Sequence, residues 1–120
     1  MNAERFSRGL PLLVQDTALD VIALAHSHDM VAREYFSHTA PDGTTFQERV
    51  TASGYAHAGI AENIGVATTV QSIIPSWMSS PGHKANILNA DYTRVGTGIA
   101  QGIYQGQSVV FVTAVFAVPR

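Results

Sequence analysis

The C-terminal part of this chain differs in kind from everything before it. Arg94 to Gln101 and Ser108 to Val118 are rich in Val, Thr, Ile and Phe, the residues that fit a pleated, half-buried surface. Gly102 to Gln107 lies between them, with Gly102 and Gly106 as turn residues. This pattern predicts an antiparallel hairpin. Upstream the apolar spacing is mostly helical. Helices first and strands last limit the chain to an α+β fold, with helices packed on an antiparallel sheet.

The helical part has clear punctuation. Asn2 to Gly9 reads as a short helix, with Pro11 just beyond it. Asp16 reads as the N-cap of a long helix reaching about Phe36, with Leu19, Ile22, Ala23, His26, Met30 and Arg33 along one stripe. Ala40-Pro41-Asp42-Gly43 predicts a β-turn. Thr45-Phe46-Gln47-Glu48 fits a capping box opening a third helix that stops at Gly54. Gly59 to Ala67 reads as extended. A fourth helix follows from about Thr69, and Pro75 means that it either starts late or kinks. A last helix runs from Ser80 to Leu88, with Ser80 as N-cap and Pro81 at the first helical position.

A chain of 120 residues is one domain with room for a real core. Apolar residues make up 46% of it and charged residues 13%, with a net charge of −2. Lys84 is the only lysine, so the basic patch that nucleic acid requires is missing. No cysteine is present, which excludes a disulfide scaffold, a thiolate metal site and a cysteine nucleophile. No window is long and apolar enough to span a bilayer. Met1-Asn2-Ala3-Glu4-Arg5 lacks the character of a signal peptide, so the chain reads as either cytosolic or trimmed of a leader.

Glu62 is the sharpest anomaly. In an extended Gly59–Ala67 segment it shares a face with Ile60, Ile64 and Val66, so its carboxylate points inward or into a cleft. A buried carboxylate needs a partner. It is either a structural glutamate or a metal-site or general-base carboxylate. His83 falls in the first turn of the last helix, where the dipole disfavours a second positive charge and the imidazole stays neutral. His38, just past the long helix, has a plain reading as a dipole-favoured C-terminal histidine. His26 lies on the apolar stripe as a core histidine, while His28 and His57 read as exposed or loop residues. Trp77 reads as core. A Gly-x-Ser-x-Gly nucleophile elbow is absent, and the serines near His83 read as helix caps.

Taken in order, several segments resemble one family. They are Asn2-Ala3-Glu4-Arg5, Ala25-His26-Ser27, Tyr35-Phe36-Ser37-His38 with Pro41-Asp42-Gly43, Gly54-Tyr55, Ala61-Glu62-Asn63-Ile64, Trp77 through Leu88, and Tyr92 through Gly98. The ordered set resembles the CAP superfamily (cysteine-rich secretory, antigen 5 and pathogenesis-related 1 proteins) in its bacterial, cysteine-free form. The resemblance spans nearly the whole chain, 1–120 as a single CAP domain. It implies a three-layer α-β-α sandwich with a central antiparallel sheet and a central cleft. In many members two histidines and two glutamates line that cleft, and the histidines can hold a divalent ion, often zinc.

By that resemblance His38 matches the first histidine and Glu62 the first glutamate. Ser80 stands where many relatives carry the second glutamate, and Asp91 where they carry the second histidine. The histidine of the Ser-Pro-Gly-His motif in bacterial members is His83. The resemblance therefore implies a metal pair of His38 and His83, with Glu62, Asn63, Ser80 and Asp91 along the cleft. It implies an extracellular or cell-envelope protein, monomeric, whose cleft takes a divalent metal or a small or lipid-like ligand without catalysis. Two alternatives stand beside it. One is a metal-dependent hydrolase or peptidase with Glu62 as general base; the other is a structural module for a protein partner.

Overall fold

In the computed structural model, which describes Met1–Arg120, the C-terminal hairpin forms the centre of the molecule. Strand β3 (Arg94–Tyr104) pairs antiparallel with β4 (Gln107–Pro119), and β4 pairs antiparallel with β2 (His57–Ala67) on its other side. The hairpin turn is tighter than the glycines suggest. Only Gln105 and Gly106 connect the strands, both at positive φ (52° and 79°), the two-residue geometry that matches strand twist. Gly102 lies inside β3 instead. A short strand β1 (Val14–Gln15), not read from the sequence, adds parallel to β3 and gives the order β1-β3-β4-β2.

Helices cover both faces of this sheet. On one side lie α2 (Thr17–Ala32) and α3 (Phe46–Ser53), and Val115 and Ala117 of β4 join Leu19, Ile22, Ala23, Phe46 and Val50 in their core. On the other lie α1 (Asn2–Phe6), α4 (Ile73–Met78) and α5 (Pro81–Leu88). Val112, Ala114 and Phe116 pack there against Leu13, Ile73, Trp77 and Ile87. The alternation along β4 thus feeds two separate cores, which makes a three-layer α-β-α arrangement.

Local signals explain most boundaries. Asp16 caps α2 by accepting from the Ala18 amide at 3.0 Å. The helix ends at Ala32, short of Phe36, because Glu34 turns into the left-handed region at φ 55°. Likewise α1 ends at Phe6. The capping box at Thr45 and Glu48 is complete, and Gly54 ends α3 at φ 79°. Pro75 occupies the third position of α4, after a single 3-10 turn at Val70–Ser72. There its missing N–H costs nothing, so the helix starts late and does not kink. Close packing of α2 on β3 depends on Gly98, where an added Cβ would stand 2.2 Å from the Leu24 Cα.

Arg5 ties the N-terminus into the fold. It is fully buried, and its guanidinium donates to the carbonyls of Pro11, Ile87, Asn89 and Tyr92 at 2.7–3.2 Å. Two of those carbonyls lie at the end of α5, where the helix leaves acceptors unsatisfied.

A polar cleft over the free edge of β2

Neighbouring residues of β2 reach into different layers. Glu62 stands opposite Val115 and Asn63 opposite Ala114, and those β4 residues face the α2/α3 core and the α4/α5 core respectively. Glu62 therefore turns toward α3 and Asn63 toward α5. The cleft forms over the edge strand between them. His38, Glu62, Asn63, Ser80, Gly82, His83 and Asn86 line it, around a volume of about 300 Å³. His38 comes from the loop between α2 and α3, and His83 from the first turn of α5.

Glu62 is buried and fully engaged. His38 Nδ1 lies 2.8 Å from its Oε1, and Arg49 of α3 donates to both carboxylate oxygens at 3.0 Å. A further bond from Arg49, at 2.9 Å, goes to the His38 carbonyl. Burial pushes the Glu62 carboxyl up, but the hydrogen bonds from His38 and Arg49, with the Arg49 charge, bring it below the usual carboxylate range. An ionised carboxylate only accepts, so His38 Nδ1 carries the hydrogen in this bond. Arg49 escaped the sequence reading. The available signal was its position one turn after Thr45, on the buried side of α3 with Phe46 and Val50.

His83 is held differently. Its Nδ1 lies 2.8 Å from Ser80 Oγ. Ser80 occupies the N-cap position of α5, yet its side chain makes no capping bond, because the His83 ring takes its oxygen. This corrects the expectation of Ser80 as a hydroxyl cap. The ring stacks on Trp77, with centroids 6.1 Å apart and planes 14° from parallel. Asn63 donates to the His83 carbonyl and accepts from Asn86, tying α5 to β2. Burial lowers the His83 pKa, and the neighbouring His38 lowers it further, so the imidazole is neutral. Trp77 itself is core, at 3% exposure, and donates its indole N–H to the Ile64 carbonyl.

The remaining sequence candidates divide cleanly. Asp91 lies outside the cleft, exposed in the turn after α5, where its amide donates to Asn89 Oδ1. His26 is a core histidine, 1% exposed, and its Nε2 donates to the Ser37 carbonyl at 2.9 Å, bracing the loop that carries His38. His28 is exposed, and His57 is half-buried at the start of β2 rather than in a loop.

Two imidazoles at one cleft are donors of a kind that a divalent ion takes. His38 and His83 are each tied at Nδ1, which leaves both Nε2 atoms for a ligand. No set of three His, Asp or Glu side chains converges as a metal cage. The protein would contribute two imidazoles, with water or a bound molecule completing the coordination, and that fits a divalent ion of the zinc type.

The fold agrees with known proteins. The uncharacterized protein YkwD of Bacillus subtilis is 35% identical over 101 residues, which is 83% of this chain and 39% of that protein. An extracellular protein of Bacillus anthracis containing an SCP domain has 31% identity and a TM-score of 0.78, over 97% of this chain and 37% of its own. An outer surface protein of Borrelia burgdorferi shares the fold, with a TM-score of 0.83 at 20% identity over 99% and 86% of the two chains. The present chain thus spans about two-fifths of the two Bacillus relatives. The family profile described as cysteine-rich secretory protein family (CAP) matches residues 1–116. With that match over almost its whole length, the chain belongs to the CAP family.

Proposed function

We propose that this is a secreted or envelope-exposed CAP domain whose cleft holds a divalent metal, and with it a small ligand, without catalysing a reaction. One observation carries the reading. Two histidines face one cleft, each with Nδ1 occupied by an oxygen partner, Glu62 for His38 and Ser80 for His83. Such oxygen partners orient metal-binding histidines and raise their basicity. In this role Ser80 presents its oxygen to His83 Nδ1–H, and on each ring the lone pair is left at Nε2. When bound, the ion supplies a Lewis-acidic centre with positions open to a ligand. The extracellular location is supported by the relative from Bacillus anthracis, described as extracellular.

The state of Glu62 supports the reading without Glu62 as a general base. A general base needs a free oxygen and a pKa near the working pH. Both Glu62 oxygens are bonded to Arg49, and the group lies below the carboxylate range. Glu62 is thereby an anchor for His38.

Zinc titration by calorimetry tests the reading. The wild type should bind one ion, and His38→Ala and His83→Ala should each weaken binding by at least about tenfold. No binding by the wild type, or equal binding by all three, would sink the metal site.

A further inference from the structure

The sheet has a second open edge, on the side away from the cleft. The order β1-β3-β4-β2 leaves β2 at one border and β1 with β3 at the other. β1 covers β3 only at Arg94 and Val95. There the carbonyls of Thr93 and Val95 accept from Val14 and Asp16, and the Thr97 amide donates to Asp20 Oδ1. Odd-numbered residues of β3 therefore turn their backbone groups outward, while their even-numbered neighbours bond to β4. Past Thr97 the outward groups belong to Ile99, Gln101 and Ile103. No loop, helix or side chain supplies a partner for their amides and carbonyls.

Nothing shields this stretch. Natural sheets blunt an open edge with charge, proline or a bulge. Here no charged residue occurs between Arg94 and Arg120, and β3 holds no proline and keeps a regular register with β4. Ile99 and Ile103 are 48% and 61% exposed on the face away from α2. On the other face the flank of α2 overhangs, with Leu24 against Gly98 and Val31 against Gly102. A strand laid here meets apolar side chains on both faces and unpaired backbone along its length.

The seating of α2 also decides what can bind. α2 lies directly on β3, since a Cβ at Gly98 would stand 2.2 Å from the Leu24 Cα. A second copy pairing edge to edge would bring its own α2 one strand spacing away, about 4.8 Å. Two packed helices need about 8–10 Å. The edge therefore refuses a second copy. It admits a strand with no helix over it, as β1 does beside Arg94 and Val95.

We propose that β3 docks an extended, uncharged peptide segment of another protein, which continues the β1 edge from Ile99 to Ile103 by strand addition. Alternate side chains of the peptide lie against Ile99 and Ile103, and the others lie under Leu24 and Val31. The match in charge is a shared absence: a charged peptide side chain would lose water here without meeting an opposite charge. The docking needs nothing from the metal reading, because the cleft lies over the opposite edge.

The test is amide exchange by NMR, with a capped peptide of about six residues alternating Val and Thr as the probe. In the free protein the amides of Ile99, Gln101 and Ile103 should exchange faster than those of Gly98, Ala100 and Gly102. Saturating peptide should slow the first set by at least about tenfold. Gln101→Pro removes one outward amide and leaves the β4 ladder intact. It should weaken peptide binding by at least about tenfold, and Ile103→Lys, at an exposed position, should do the same. The peptide with every amide N-methylated should not bind. No binding of the plain peptide at about millimolar concentration overturns the inference. So does protection confined to β2, wild-type binding by both variants, or binding of the N-methylated peptide. A concentration-dependent dimer of the free protein that protects these three amides would place a second copy on the edge and overturn it as well.

Discussion

Arg49 meets both carboxylate oxygens of Glu62, each at 3.0 Å, from a helix thirteen residues upstream in sequence. The pair lies almost out of water, with the Glu62 side chain 1% and the Arg49 side chain 16% exposed. Arg49 reaches from the same position to the His38 carbonyl. One guanidinium thus joins α3, β2 and the loop carrying a cleft histidine.

Breaking that pair from one side leaves a buried charge without its partner. Glu62→Gln should cost about 3 kcal/mol in urea unfolding. The double variant Arg49→Met/Glu62→Leu should recover much of that loss, because it removes both desolvation penalties. A double variant no more stable than Glu62→Gln would show that the pair itself is not what holds this region.

Ser80→Ala should separate site chemistry from stability. Ser80 does not cap α5, so thermal unfolding should move little compared with the usual loss of about 1 kcal/mol for a capping serine. The His83 imidazole loses its Nδ1 partner. Its ring-nitrogen NMR shifts should change, and its affinity for zinc should fall about tenfold. A large stability loss with unchanged ring shifts would contradict this assignment.

Acid should weaken the fold in two steps. Burial holds the His26 pKa below the ordinary histidine value against the opposing charge of Glu62; Arg49 lowers it and Asp29 raises it. His83 shifts the same way. The unfolded chain takes up these protons near pH 6.5, about the free histidine value, and the folded chain only at lower pH. Their stability contribution is complete above that point and is lost as pH falls through the folded values. Glu62, also lowered, adds a second loss below its unfolded value of 4.5. Urea midpoints should therefore fall between pH 7 and 5, by at most about 1.4 kcal/mol per pH unit per histidine. His26→Gln should flatten that slope, and an unchanged slope would remove His26 from the account.

Gly98→Ala should be among the most damaging small substitutions. The new methyl would overlap the backbone of α2 at Leu24, which cannot move aside as a side chain would. The expected loss is at least about 3 kcal/mol. Gly82→Ala, with open space around the glycine, serves as the control. Similar midpoints for the two variants would refute the packing argument.

Arg5→Met should test the N-terminal tie. It strips one donor set from four carbonyls that span the segment after α1, the α5 terminus and the segment before β3. A loss of about 2–4 kcal/mol is expected, with amide exchange rising first in residues 1–13 and around Asn89. Protection unchanged in both places would mean that the tie carries no weight.

The sequence by itself determined what nearest neighbours along the chain decide. The Thr45–Glu48 box, the left-handed Gly54, Pro81 at a helix start and the β-rich hairpin all act within a few residues. Each sets the type or boundary of its element locally, while packing against the sheet is what holds the short helices and the hairpin. The ordered motifs added the family, and with it the layered fold and interest in His38 and His83. Tertiary structure decided what those side chains meet. Ser80 has the chemistry of a helix cap, but a stacked imidazole over Trp77 competes for its oxygen and wins. Glu62 has the pattern of a cleft carboxylate, but Arg49 arrives from another layer and takes both oxygens. Asp91 sits near His83 in the sequence and outside the cleft in space. Val14 and Gln15 carry no strand signal of their own and pair only because β3 presents an open edge. These outcomes depend on which groups the folded layers bring together, at sequence separations over which local periodicity carries no information.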